Sequence, residues 1–213
     1  MNILVIAAHP DDEALGMGGT IRKLAYSNKI HLCIISEGAS AQYNNKKMIE
    51  VRRDACIRSG KILGISTFDF LDFPDMQLDT ISHLEINIAI EKIIKKYHPN
   101  TIFTTPDNDV NIDHRQVFES TLVATRPFAS SVKQIFCYEI PNAVVTQFSP
   151  NVYYDITKEF KTKIKAVNSY KTEIRKFPHP RSIKSLENLA TFRGIQSGLI
   201  KAEAFRMIRH IID

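Results

Sequence analysis

The feature that most constrains this chain is the uninterrupted apolar run at residues 2–8, Asn-Ile-Leu-Val-Ile-Ala-Ala. A strand with one solvated face alternates apolar and polar residues, whereas a continuous run belongs to a strand covered on both faces, as in a parallel sheet. Similar short runs recur at residues 30–35, 68–70, 101–104 and 134–138. The first four are separated by stretches with helical periodicity. Leu84, Ile86, Ile90, Ile93, Ile94 and Tyr97 largely share one helix face, and the segment 46–63 stops at Gly64, a residue suited to a helix C-terminus. The order is β-α-β-α-β-α-β-α-β.

Strands alternating with helices require right-handed crossovers, and these place helices on both faces of the sheet. The expected fold is α/β: a Rossmann-like, doubly wound, mostly parallel sheet of order 3-2-1-4-5 with a C-terminal helical extension. The 213 residues suit one domain. Residues 1–140 form its Rossmann-like core, and residues 141–213 supply one strand near 152–156, a basic helix over 158–170, a Pro-rich link and two terminal helices that complete the active site.

Net charge is +5, with the basic residues scattered through helical stretches. Scattered charge describes solvated faces, so no nucleic-acid partner is expected; the same balance fits an anionic small molecule. Cys33, Cys56 and Cys137 are odd in number and set in apolar surroundings, which indicates buried thiols and neither a disulfide framework nor a metal knuckle. The opening run is too short to span a membrane and lacks the flanks of a secretory signal, so no membrane partner and a cytoplasmic setting are expected. The oligomeric state is left open, a homo-oligomer included.

Directly after the first strand comes His9-Pro10-Asp11-Asp12-Glu13. Three acids this close raise one another's pKa values unless a cation or hydrogen bonds offset the repulsion, and a divalent metal does so. Acidic capping of a helix start accounts for Asp11 to Glu13 but leaves His9 unexplained. A second cluster, residues 106–115, follows the strand at 101–104 and contains Asp107, Asp109, Asn111, Asp113 and His114. In a 3-2-1-4-5 sheet, strands 1 and 4 are neighbours, and the crevice at their carboxyl ends is where ligands bind. His9, Asp12 and His114 then supply two imidazoles and one carboxylate, the donor set of a catalytic zinc site with one open position.

The string Ala-His-Pro-Asp-Asp-Glu-x-Leu-Gly-x-Gly-Gly-Thr at residues 8–20 resembles the signature of the PIG-L, or LmbE-like, zinc deacetylases. The resemblance continues through an Arg-containing helix ending at Leu63-Gly64, the Asp113-His114 pair, Pro178-His179-Pro180-Arg181-Ser182 and Arg193-Gly194, and so covers essentially the whole chain. It implies hydrolysis of the N-acetyl group of an N-acetylglucosamine-type sugar or conjugate. It also implies one Zn2+ per chain on His9, Asp12 and His114, with Asp11 as general base. The physics agrees, because zinc lowers the pKa of bound water toward ~7 and an unligated carboxylate beside it can accept the proton.

One position departs from the family pattern. Where members commonly carry His-Pro-Asp-His, this chain has Asn111-Ile112-Asp113-His114. The missing imidazole is the one associated with the oxyanion, a role left to Asn111 or to His179. Arg52 corresponds to a family arginine near substrate, the alternative being an ordinary solvated helix arginine. Asp113 either orients His114 or touches substrate. Two rivals stay open: a metal- or sugar-binding protein that has lost catalysis, and a zinc hydrolase of a different amide or ester. A dinucleotide site at Gly16-Met17-Gly18-Gly19 is rejected, because a G-x-G-x-x-G fingerprint needs glycine where Ile21 stands. Specificity is expected in the loops at 40–45, 73–79 and 140–150.

Overall fold

The chain runs β1 (Asn2–Ala7), α1 (Asp12–Leu24), β2 (Lys29–Ser36), α2 (Lys47–Leu63), β3 (Thr67–Phe73), a 3-10 turn (Leu78–Thr80), α3 (His83–Tyr97), β4 (Thr101–Thr104), α4 (Ile112–Ala124), β5 (Gln134–Tyr138), β6 (Val152–Asp155), α5 (Phe160–Val167), α6 (Ile183–Ser197) and β7 (Ala202–His210). This is a computed structural model, and it describes residues 1–43, 45–141 and 143–212. Asn44 and Asn142, inside two of the loops read as setting specificity, lie outside the described residues.

All seven strands join one sheet of order β3-β2-β1-β4-β5-β7-β6. β1 pairs in parallel with β2 and β4, and the parallel set extends to β3 and β5. The continuous run in β1 is explained by its two covered faces. Ile3, Val5 and Ala7 pack into a core with residues of α1, α2 and α6, while Leu4, Ile6 and Ala8 pack into a second core with α3 and α4. In α3, Ile86, Ile90, Ile93 and Ile94 are buried as the periodicity predicts, but Leu84 is exposed. Gly64 ends α2 in the left-handed conformation (φ 90°).

The C-terminal part departs from expectation at two points. The basic helix is shorter, Phe160–Val167, and the second terminal helix is absent: Ala202–His210 is strand β7, antiparallel to both β5 and β6. Ala, Glu, Met and Arg in this segment carry good local helix propensity, but hydrogen bonding to strands on both sides overrides it.

α1 lies close against the sheet because it can. A Cβ at Gly16 would stand 2.4 Å from the Tyr138 ring, and one at Gly19 2.8 Å from Ile156. The helix is also broken at Met17 (φ −142°, ψ 23°). At this break Lys163 Nζ donates to Leu15 O (2.7 Å), while the Glu203 carboxylate accepts from Gly19 N (3.0 Å) and Thr20 N (2.6 Å). Lys163 and Glu203 are themselves paired at 2.6 Å, so a buried ion pair splints the kinked helix whose first turn carries the acidic cluster.

Candidate active site

β1 and β4 end side by side, and each hands over to a loop that opens a helix. His9 leaves β1; its backbone N–H donates to the Asp12 carboxylate (2.8 Å), which folds the turn back on itself at the start of α1. Asp11, between them, has φ 130°, a region that L-residues avoid. Such strain costs on the order of 1–3 kcal/mol and persists where the surroundings over-determine it, characteristically at functional sites. On the β4 side, Asn111 caps α4 by accepting from Asp113 N (2.9 Å), which sets His114 on the inner face of the first turn.

The two clusters converge. His9 Nδ1 and His114 Nε2 lie 3.5 and 3.4 Å from Asp12 Oδ2, and one donor atom from each of the three residues falls within 4.8 Å of the others. All three side chains are buried, Asp12 completely. Asp12 Oδ1 and His114 Nε2 have no hydrogen-bond partner. Unpartnered buried polar atoms are costly, and two of them aimed into one donor set is what a divalent cation would relieve.

The far nitrogens of both imidazoles are held by carboxylates. His9 Nε2 donates to Asp113 Oδ2 (3.0 Å) with Asp75 Oδ1 at 3.3 Å, and His114 Nδ1 donates to Asp109 Oδ2 (2.8 Å). This fixes which nitrogen of each ring faces Asp12. His9, Asp75 and Asp113 also cluster closely enough to hold an ion, but both Asp113 oxygens are engaged by Met76 N (2.9 Å) and Leu78 N (3.1 Å). Those bonds anchor the 73–79 loop.

Burial disfavours the charged form of both imidazoles, yet their carboxylate partners prevail. His9, bonded to Asp113 and Asp12, is pushed up to about 10, and His114, beside Asp12 and Asp109, to about 9. Burial raises Asp12, but His114 and His9 outweigh it and hold the carboxyl well below the usual range. Asp11 is raised by burial, against the lowering pull of Arg181 (3.2 Å) and Arg52 (3.7 Å). Burial also lifts Glu13 to about 8, where its Oε1 accepts from the Tyr170 hydroxyl (2.5 Å).

Several residues have jobs other than those expected. Asp113 meets His9 and not His114; Asp109 is the partner of His114. Asn111 is half-buried and spends its side-chain oxygen on the helix cap. Arg52 is not a solvated helix arginine: it is 2% exposed and donates to Pro10 O (2.8 Å) and Gly38 O, tying the 9–13 turn to the loop after β2, with Asp11 Oδ1 at 3.7 Å. His179 is exposed, and its Nδ1 accepts from Arg181 N (3.1 Å). The residue of that segment that reaches the acidic cluster is Arg181, bridging Asp11 and Glu173 (2.9 Å). Asp75, Asp109 and Arg181 are therefore the site residues that sequence reasoning did not assign.

Beside Asp109 opens a cavity of about 500 Å3, bounded by Pro106, Glu139, Phe148, Pro178 and Arg193 among others. The donor set thus sits at the switch point of the sheet with a ligand-sized space next to it.

Residues 4–125 match the PIG-L family model, described as GlcNAc-PI de-N-acetylase. The chain belongs to the PIG-L family. Among curated relatives, this PIG-L chain is 32% identical over 180 residues to an uncharacterized deacetylase, YaiS, of Escherichia coli, covering 80% of this chain and 90% of that protein. It is 26% identical over 223 residues to diacetylchitobiose deacetylase of Thermococcus kodakarensis, covering 97% and 82%. The N,N'-diacetylchitobiose deacetylase structure from Pyrococcus horikoshii superposes with a TM-score of 0.84 at 23% identity, covering 98% of this chain and 84% of that one, a likeness of fold. No described helix is long and apolar enough to cross a membrane.

Proposed function

We propose that this protein is a zinc-dependent hydrolase that removes the N-acetyl group from an N-acetylglucosamine-type sugar or conjugate. The observation that carries the metal assignment is the pair of bare, buried donor atoms, Asp12 Oδ1 and His114 Nε2, beside His9. His9, Asp12 and His114 would hold the ion. Bound there, a zinc ion supplies a water of lowered pKa and polarises the amide carbonyl.

The chain's own groups do the rest. Asp11 lies in the turn that carries His9 and Asp12 of the donor set; Arg181 and Arg52 face its two oxygens as ion pairs, yet neither oxygen accepts a hydrogen bond, so a lone pair is left for a water proton. Its pKa is raised by burial, which brings it closer to the range where a carboxylate serves first as base and then as acid. It accepts the proton of the attacking water and returns it to the departing amine nitrogen, so that acetate and a free amino sugar leave. Arg181 and Arg52 favour the ionised form of Asp11 against the effect of burial, and Arg52 holds the strained turn in place. Asp109 and Asp113 orient the two imidazoles. With Asn111 capping a helix and His179 at the surface, neither is proposed for the oxyanion. The names of the relatives support the sugar class, and the three buried free thiols fit a reducing, cytoplasmic setting.

The test is incubation of zinc-loaded protein with a panel of N-acetylated sugars and assay for acetate. Equimolar acetate and free amine from at least one N-acetylglucosamine derivative is expected. Zinc-replete protein that releases acetate from none of them would remove this reading.

A further inference from the structure

We propose that the cavity beside Asp109 selects a neutral saccharide as the group carried by the reacting sugar and discriminates against anionic aglycones; this rests on the deacetylase reading and narrows its substrate. The chain's charge of +5 points the other way, toward anions, but the charge is not where the ligand sits. Among the described residues lining the cavity the sole cation is Arg193. Its Nε and Nη2 donate to the two oxygens of Glu139 (2.7 and 2.5 Å), and its Nη1 donates to Gln196 (2.7 Å). The charge of that guanidinium is therefore already paired with a carboxylate and with an amide oxygen before any ligand arrives, which leaves little net attraction for a carboxylate or phosphate.

The surroundings deepen the asymmetry. Asp109 adds a buried carboxylate to the lining, and near it the donor set carries Asp11, Asp12, Asp75, Asp113 and Glu173 against Arg52 and Arg181, with His9 and His114 neutral once they ligate a metal. Even the two charges of a bound divalent metal leave that balance negative. An anion entering the cavity meets like charge at short range, while the one guanidinium of the lining is already paired with Glu139. The remaining walls, Pro106, Ile140, Phe148, Pro178 and Pro180, suit the apolar face of a pyranose ring, and Glu139 can accept from its hydroxyls.

The experiment compares N,N'-diacetylchitobiose with N-acetylglucosaminyl malate on the zinc-loaded protein, by acetate release and by calorimetric binding. The neutral disaccharide should be favoured in kcat/KM by about tenfold at low salt, and the gap should narrow as salt rises, since screening weakens the repulsion. Glu139→Gln opens the fork of Arg193 and should shift the ratio toward the malate conjugate by about tenfold. The wild-type ratio and its salt dependence decide the matter even if that variant folds poorly. An equal or better kcat/KM on the malate conjugate, or a preference indifferent to salt, overturns the proposal. If neither compound is deacetylated, the binding preference separates the two claims: retained order keeps the charge selection and removes the deacetylase reading, while reversed order removes the selection.

Discussion

Replacing Asp109 by Asn alters a single atom of a residue that touches no proposed ligand atom, and it should still loosen the metal. In the folded protein Asp109 Oδ2 accepts from His114 Nδ1 (2.8 Å) and Oδ1 accepts from Asn111 N (2.8 Å). An asparagine has one acceptor where two are needed, so one of these N–H groups must face an NH2. A hydrogen bond to a charged group is worth about 1.5–3 kcal/mol, and losing the partner that orients a metal-ligating imidazole typically weakens metal binding about 10- to 100-fold. The fold-change corresponds to about 1.4–2.8 kcal/mol, so the two routes to the magnitude agree. The assay is zinc competition against a chromophoric chelator at fixed pH, with circular dichroism to confirm the fold. A Kd within twofold of wild type would refute the reasoning, because it would mean that His114 does not depend on Asp109 for its orientation or does not bind the ion.

The pH dependence of the metal-free protein follows from the same network. His9 at about 10 and His114 at about 9 lie above their unfolded value, so their stabilisation is complete below about 6.5 and is lost as pH rises through 9 and 10. Glu13, raised to about 8, adds in the same direction from its unfolded value upward, so the Tm of metal-free protein should fall between pH 7 and 10; a flat or rising Tm contradicts this. Ligation needs both imidazoles deprotonated, so zinc affinity should tighten over the same range, with proton release measurable in weak buffer. Arg181→Met removes the cation nearest Asp11 and should move the acidic limb of the kcat/KM profile upward; an unmoved limb would place Arg181 outside the base's electrostatics. Lys163→Met leaves the buried Glu203 carboxylate with its two backbone donors but no cation and takes the Nζ donor from the Leu15 carbonyl at the kink of α1; urea unfolding should show a loss of about 3 kcal/mol, with a loss under about 1 kcal/mol arguing against the splint.

The parallel sheet was legible because β1 is covered on both faces, and a run such as Ile3 to Ala8 has no other economical home. The convergence of His9, Asp12 and His114 was legible for a related reason: the clusters follow strands that a doubly wound order makes neighbours. Strand β7 was not, since its helix-forming residues are overruled by hydrogen bonds to β5 and β6, which lie far away in sequence. The place of Arg52 is not legible either, because nothing local says that a helix arginine will turn inward to the carbonyls of Pro10 and Gly38 and leave solvent. Asp75 had no signal at all. Arg181 had one in the Pro-His-Pro-Arg segment, of which the arginine and not the histidine reaches Asp11. Asp109 stood in the acidic loop five residues before His114, but which of Asp109 and Asp113 meets that ring depends on the turn around the Asn111 cap.

The central claim is that Asp11 moves protons at a metal held by its neighbours, and Asp11→Asn isolates it. An amide there keeps the size of the carboxylate and leaves His9, Asp12 and His114 in place, but it cannot accept a proton from water. The decisive measurement is acetate released from N,N'-diacetylchitobiose by wild type and Asp11→Asn, each shown to carry equal zinc. The account predicts wild-type turnover with a loss of about 100-fold or more in the variant. Equal turnover at equal zinc content would contradict it.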